Sequence, residues 1–128
     1  MPWEPEHDPR RYFTPSEADA LLDEVKDKLA DLSTLSLRAR RKDRAPEESR
    51  ALRDQMKALL AWFEDAGLRV KSVDPPLVDF PAMLDGQEVV LSWRDGEDRV
   101  EWWHPTHSGL AGREPIDPSK PDRWTWWH

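Results

Sequence analysis

Two tight-turn signals set into an alternating run constrain this chain more than any other feature. Residues 77–105 read LVDFPAMLDGQEVVLSWRDGEDRVEWWHP, with Asp-Gly at Asp85-Gly86 and again at Asp95-Gly96. Alternation of apolar and polar side chains is the period of a strand, and Asp-Gly tolerates the positive φ angles that a two-residue hairpin turn demands. A turn at Asp85-Gly86 sets Phe80 opposite Leu91, Val78 opposite Trp93 and Asp79 opposite Ser92. A second turn at Gly96-Glu97 sets Trp93 opposite Val100, Leu91 opposite Trp102 and Ser92 opposite Glu101. The two registers share one apolar face, carrying Val78, Phe80, Ala82, Leu91, Trp93 and Trp102 among others. The opposite face carries a row of Asp79, Ser92 and Glu101, flanked by Arg94 and Arg99 on one side and by Val90 and Trp103 on the other. His104 falls on the side away from Asp79, and Glu97 falls in the turn. A slip of one residue would exchange the faces.

The chain ahead of this ribbon is helical by period. Thr14, Pro15 and Glu17 form a capping-box start, with Phe13 placed to staple the entry. Ala18, Leu22, Val25, Leu29 and Leu32 follow at spacings of four and three, giving an amphipathic helix of about 25 residues. A second helix opens at Pro46, with Glu47 and Glu48 complementing its dipole. Leu52, Met56, Leu59, Phe63 and Ala66 repeat the stripe, and Gly67 supplies a left-handed stop. Two such helices with a short polar link fold back as an antiparallel hairpin whose seam has the character of a short coiled coil, and such seams allow two copies to pair as a homodimer. After Gly67 the period changes to two, so LRVKSV is a further strand, broken by Asp-Pro-Pro at 74–76.

Composition closes several routes. Cysteine is absent, which removes disulfides, thiolate metal sites and cysteine nucleophiles. A net charge of −7 argues against a protein built to neutralise phosphates. The run RARRKDR at 38–44 does not reverse this, because cations at one helix end followed by Glu at the next start are what helix dipoles favour at a solvated turn. No apolar run approaches the about 20 residues that span a bilayer, and MPWEPEHDPRRYF lacks the order of a secretory signal. The expectation is a cytoplasmic protein with no membrane contact. At 128 residues, one domain with one core is expected.

The expected architecture is therefore α+β, an antiparallel two-helix hairpin packed on a small antiparallel β-meander. Residues 1–13 form an extended arm; 14–116 form the domain, with the hairpin over 14–67, the sheet over 68–104 and a Gly-rich segment over 105–116; 117–128 form a Trp-rich tail. GLAGREP at 109–115 is turn-rich enough to fold back over a sheet edge. The tail carries Trp124, Trp126 and Trp127, which either complete the core or expose an apolar contact patch.

The order of these motifs resembles the prokaryotic family labelled domain of unknown function 2203. YFTPSEADALL opens the hairpin, LVDFP, WRDGE and WWHP follow in the ribbon, and GREP closes it. The likeness spans roughly residues 11–116. The family's motif positions fall here on Asp79, Phe80, Pro81, Trp93, Arg94, Glu97, Trp103, His104 and Arg113. Ser92 is a departure, standing where Cys is the more usual neighbour of the Trp. The resemblance implies the fold and these candidate positions, and no particular activity.

Two function classes follow from the residues. The favoured one is a non-enzymatic interaction or ligand-binding module using Asp79, Arg94, Glu101, Trp103 and Arg113, since Trp and Arg are the residues that most often anchor partners. It needs no cofactor, and its partner is a protein or small ligand. The alternative is a metal-dependent hydrolase, with a divalent metal on Asp79, Glu97 and His104 activating water. The predicted register works against it, because His104 and Asp79 point to opposite faces. A glycosidase-like pair of Asp79 and Glu101 lacks a cleft on so small a sheet. No serine sits in a nucleophile elbow, and no Gly-rich loop joins a strand to a helix to cradle phosphate.

Overall fold

The structure is a computed structural model describing residues 11–124. It is an α+β fold of two helices and a five-stranded antiparallel sheet. Helix α1 spans Pro15–Ala39 and starts as its sequence dictates: the Thr14 hydroxyl accepts the Glu17 N–H, and the Glu17 carboxylate accepts the Thr14 N–H. Helix α2 spans Pro46–Ala66 and stops at Gly67, whose φ of 83° is left-handed and whose N–H caps the last carbonyls. Phe13, just ahead of the cap, is fully buried edge-on against Phe80, and its N–H donates to the Pro81 carbonyl. The entry residue thus ties the helical layer to the sheet.

The strands are β1 (Arg69–Val73), β2 (Pro76–Leu84), β3 (Gln87–Arg94), β4 (Trp102–Pro105) and β5 (Glu114–Pro115), neighbours in chain order across the sheet. The first tight turn behaves as expected. Asp85 and Gly86 adopt φ of 52° and 83°, and β2 pairs with β3 through Val78–Trp93, Asp79–Ser92 and Phe80–Leu91. Val78, Phe80, Ala82, Val89, Leu91 and Trp93 meet Ala18, Leu22, Val25, Leu29 and Phe63 of the helices in one core. Full burial of each such side chain is worth roughly 1.5–3 kcal/mol.

The second turn departs from expectation. Residues 95–101 form a longer loop in place of a two-residue turn, and β4 pairs with β3 through Val90–His104, Leu91–Trp103 and Ser92–Trp102. This is one residue out of the predicted register, so the faces of β4 exchange. Glu97 is the cause. Its N–H donates to the Arg94 carbonyl, its carboxylate accepts the Arg94 N–H at 2.9 Å, and its carbonyl accepts the Trp93 indole N–H at 2.8 Å. The chain curls around this residue before returning. Val100 stays buried, held by its N–H donating to Asp19 of α1 at 2.7 Å.

GLAGREP folds onto the sheet edge, as its turn chemistry suggests. It makes a 3-10 turn over Leu110–Gly112 and then β5, which adds to β4 beyond the expected sheet boundary. The chain continues to Trp124, which is buried against Trp103 with ring centroids 6.4 Å apart. Trp126 and Trp127 lie outside the described residues, as do residues 1–10 of the expected arm. Among the described residues no helix is long and apolar enough to cross a membrane.

Candidate functional site

The register of β4 decides which groups share the helix-free face of the sheet. Trp103 pairs with Leu91 and joins the core side against Trp124, so the predicted placement of Trp103 beside Asp79 is corrected. His104 pairs with Val90, whose own partner is Pro81, and so comes to the side of Asp79 and not the opposite one. Glu101, expected in a row with Asp79 and Ser92, lies outside β4 and is exposed, its carbonyl accepting the Ile116 N–H.

Arg94, Glu97 and Arg113 form a separate group at the loop. Arg113 reaches over the Trp102 ring at 5.1 Å and donates to Glu97 at 2.8 Å and to the Ser92 carbonyl at 3.1 Å. With 8% and 16% of their side chains exposed, Arg113 and Glu97 form a largely buried ion pair that pins the β3–β4 loop to the segment leading into β5. Arg94 adds a longer contact of 3.9 Å from an exposed side chain.

Asp79 and His104 instead border a cavity of about 230 Å³ on the helix-free face. Pro81 and Val90 are part of its lining, Arg69 and Lys71 of β1 stand on one side, and Thr106 and Ser108 follow β4 on the other. Arg69 is the direct cross-strand partner of Asp79, and the register shift of β1 between Val70 and Ser72 leaves Lys71 unpaired, with its side chain in the cavity lining. Asp79 is 8% exposed, and among the described residues none hydrogen-bonds its carboxylate. Burial raises its pKa above the ordinary 3.8, against the opposing pull of His104, Lys71, Arg69 and Arg113. Nδ1 of His104 lies 2.8 Å from the Pro105 carbonyl. A carbonyl only accepts, so this bond assigns the proton to Nδ1 and leaves Nε2 an acceptor in the neutral ring.

The expected metal set is not assembled. Asp79 and His104 share the cavity, while Glu97 is engaged by Arg113 at the loop. Among the described residues no three His, Asp or Glu side chains gather as a ligand group. The sequence reading passed over Arg69, Lys71, Thr106 and Ser108. Arg69 follows from its pairing with Asp79, but the register shift between Val70 and Ser72 interrupts the alternation that would have placed Lys71.

A second, larger hollow of about 880 Å³ lies between the start of α1, residues 99–102 and the segment from Pro115 to Trp124. It gathers none of the groups clustered around Asp79.

Comparison with known proteins gives a match of residues 11–116 to the family model described as uncharacterized conserved protein (DUF2203). No curated protein and no solved structure matches the chain.

Proposed function

Since this chain belongs over residues 11–116 to the family of uncharacterized conserved proteins DUF2203, we propose that it is a non-enzymatic module that binds a small ligand in the cavity between Asp79 and His104. The observation that carries this reading is the state of Asp79: a carboxylate taken largely out of water, hydrogen-bonded by none of the described residues, and facing a cavity. The remaining exposure of the carboxyl opens on the cavity, and a ligand that supplies a donor there replaces water with a charge-assisted hydrogen bond. The cavity is smaller than the about 300–1,000 Å³ typical of drug-sized ligands, which favours a small polar metabolite over a nucleotide.

Arg94, Glu97 and Arg113 have a supporting place in this reading. They hold the loop and the β5 segment that frame the sheet's far edge, and their charges are largely spent on one another.

Thermal-shift screening of a chemically diverse metabolite set tests the reading, run on the wild-type chain and on Asp79→Asn and His104→Ala. Stabilising compounds whose effect disappears in both variants support it. Compounds that stabilise all three proteins equally bind elsewhere and sink it.

A further inference from the structure

We propose that the cavity takes a small zwitterion of the amino-acid class, its ammonium on the Asp79 carboxylate and its carboxylate toward Arg69 and Lys71. This rests on the ligand-binding reading and adds the chemistry of the ligand.

Size sets the first limit. At roughly 30 Å³ per water, a cavity of this volume holds about eight waters, which is the scale of a single amino acid. Charge placement sets the second. The largely buried acid of the lining is Asp79, and no described residue gives it a hydrogen bond. A bare anionic ligand would be repelled there, and a neutral polyol would bring a donor without a charge to match the carboxylate. An ammonium supplies both the donor and the charge.

The cations occupy a different position. Arg69 and Lys71 are exposed at the cavity's β1 side, and neither makes an ion pair among the described residues. Arg69 is the cross-strand neighbour of Asp79, so Cα atoms of the pair lie about 5 Å apart, a spacing that suits the adjacent ammonium and carboxylate of an α-amino acid. Of the lining groups left over, Glu88 is an exposed second carboxylate, Nε2 of His104 accepts in the neutral ring, the Thr106 hydroxyl donates and accepts, and the Ser108 hydroxyl, which donates to the Pro105 carbonyl, can accept. Pro81 and Val90 present apolar surface for the aliphatic part. The site therefore offers an acceptor and a cation to the two ends of one short molecule.

Amide NMR titration of the full chain is the test, using the standard L-amino acids together with ethylamine, propionate and glycerol. At least one amino acid should shift the amides of Arg69, Lys71, Asp79 and His104 saturably. Ethylamine and propionate, each with one of the two charges, should bind at least about tenfold more weakly. Asp79→Asn should abolish the amino-acid response while leaving the rest of the spectrum in place, and Arg69→Ala with Lys71→Ala should weaken it without touching ethylamine. Saturable shifts at these amides from propionate or glycerol as strong as from any amino acid overturn the zwitterion and leave the ligand-binding reading standing. No response to any amino acid, where the metabolite screen has already found a ligand of this cavity, overturns the zwitterion alone.

Discussion

Ser92 and Asp79 are cross-strand partners, and both are polar groups placed where the sheet has little water to offer. The Ser92 hydroxyl is fully buried and no described residue hydrogen-bonds it. Replacing such a group with one that asks for no partner is close to neutral or stabilising. Ser92→Cys keeps the shape and substitutes a small, weakly polar thiol. Urea unfolding should show Ser92→Cys gaining about 1 kcal/mol. A loss of similar size would mean that the hydroxyl has a water partner worth keeping. Asp79 makes the complementary case through pH. Burial raises its folded pKa above the unfolded 3.8, so between those two values the folded state binds more protons than the unfolded one. Stability contributed by this residue is then present at low pH and is lost as pH rises through that window. Asp79→Asn should remove this dependence and be the more stable protein at neutral pH, in the absence of ligand. A wild-type minus variant difference that does not change with pH would show that the carboxyl is not desolvated.

The two hairpins show at the scale of elements why one register was legible in the sequence and the other was not. Asp85-Gly86 needs only local chemistry: both residues take positive φ, and the flanking alternation finds its register without outside help. Asp95-Gly96 carries the same letters, yet here Gly96 alone has positive φ and the loop closes around Glu97. Its geometry is set by Arg113, which arrives from sixteen residues further along, a contact no local pattern announces. The helices, their caps and the apolar side of β2 and β3 were therefore readable, because period and capping are local. The face of the candidate site is half-readable: Asp79 lies where the first hairpin's register puts it, whereas the slipped register of the second puts His104 on the wrong face. If Glu97 and Arg113 do fix this loop, removing one of them strands the other's charge in a nearly dry place. Arg113→Ala should cost about 3 kcal/mol in chemical denaturation, as is usual when a buried pair loses one member. The double variant with Glu97→Ala should lose less than the sum of the single changes, with a coupling of about 1–3 kcal/mol. Strict additivity would show that the contact is only incidental. Thr14→Ala, by contrast, removes a local cap and should cost about 1 kcal/mol with no effect on the loop.

For the whole molecule, the question is what completes the core on the helix-covered face of the sheet beside β4. Trp124 answers it from the far end of the described chain. It is 3% exposed, belongs to the same cluster as Leu91 and Phe80, and packs its ring against Trp103. The segment is held in place by backbone and side chain together: the Asp85 N–H donates to the Arg123 carbonyl at 2.9 Å, and the Arg123 guanidinium contacts both Asp85 carboxylate oxygens. The ion pair is exposed and so contributes little to stability by itself. Its use is to direct the chain back across the tight turn so that the indole arrives where the core is incomplete. The two contributions are separable by mutation. Arg123→Ala should change stability by no more than about 1 kcal/mol, the range for an exposed pair. Trp124→Ala should cost about 3–5 kcal/mol, the range for deleting a buried large aromatic. Denaturation in urea measures both, and the order of the two effects is the decisive reading. Were Arg123→Ala the more damaging, the segment would be held by its surface charge, and the indole would be a passenger on the fold. Were the expected order found, the C-terminal segment would count as part of the domain's core, and trimming the chain at residue 116 would expose Trp103 and the inner face of β4 to water.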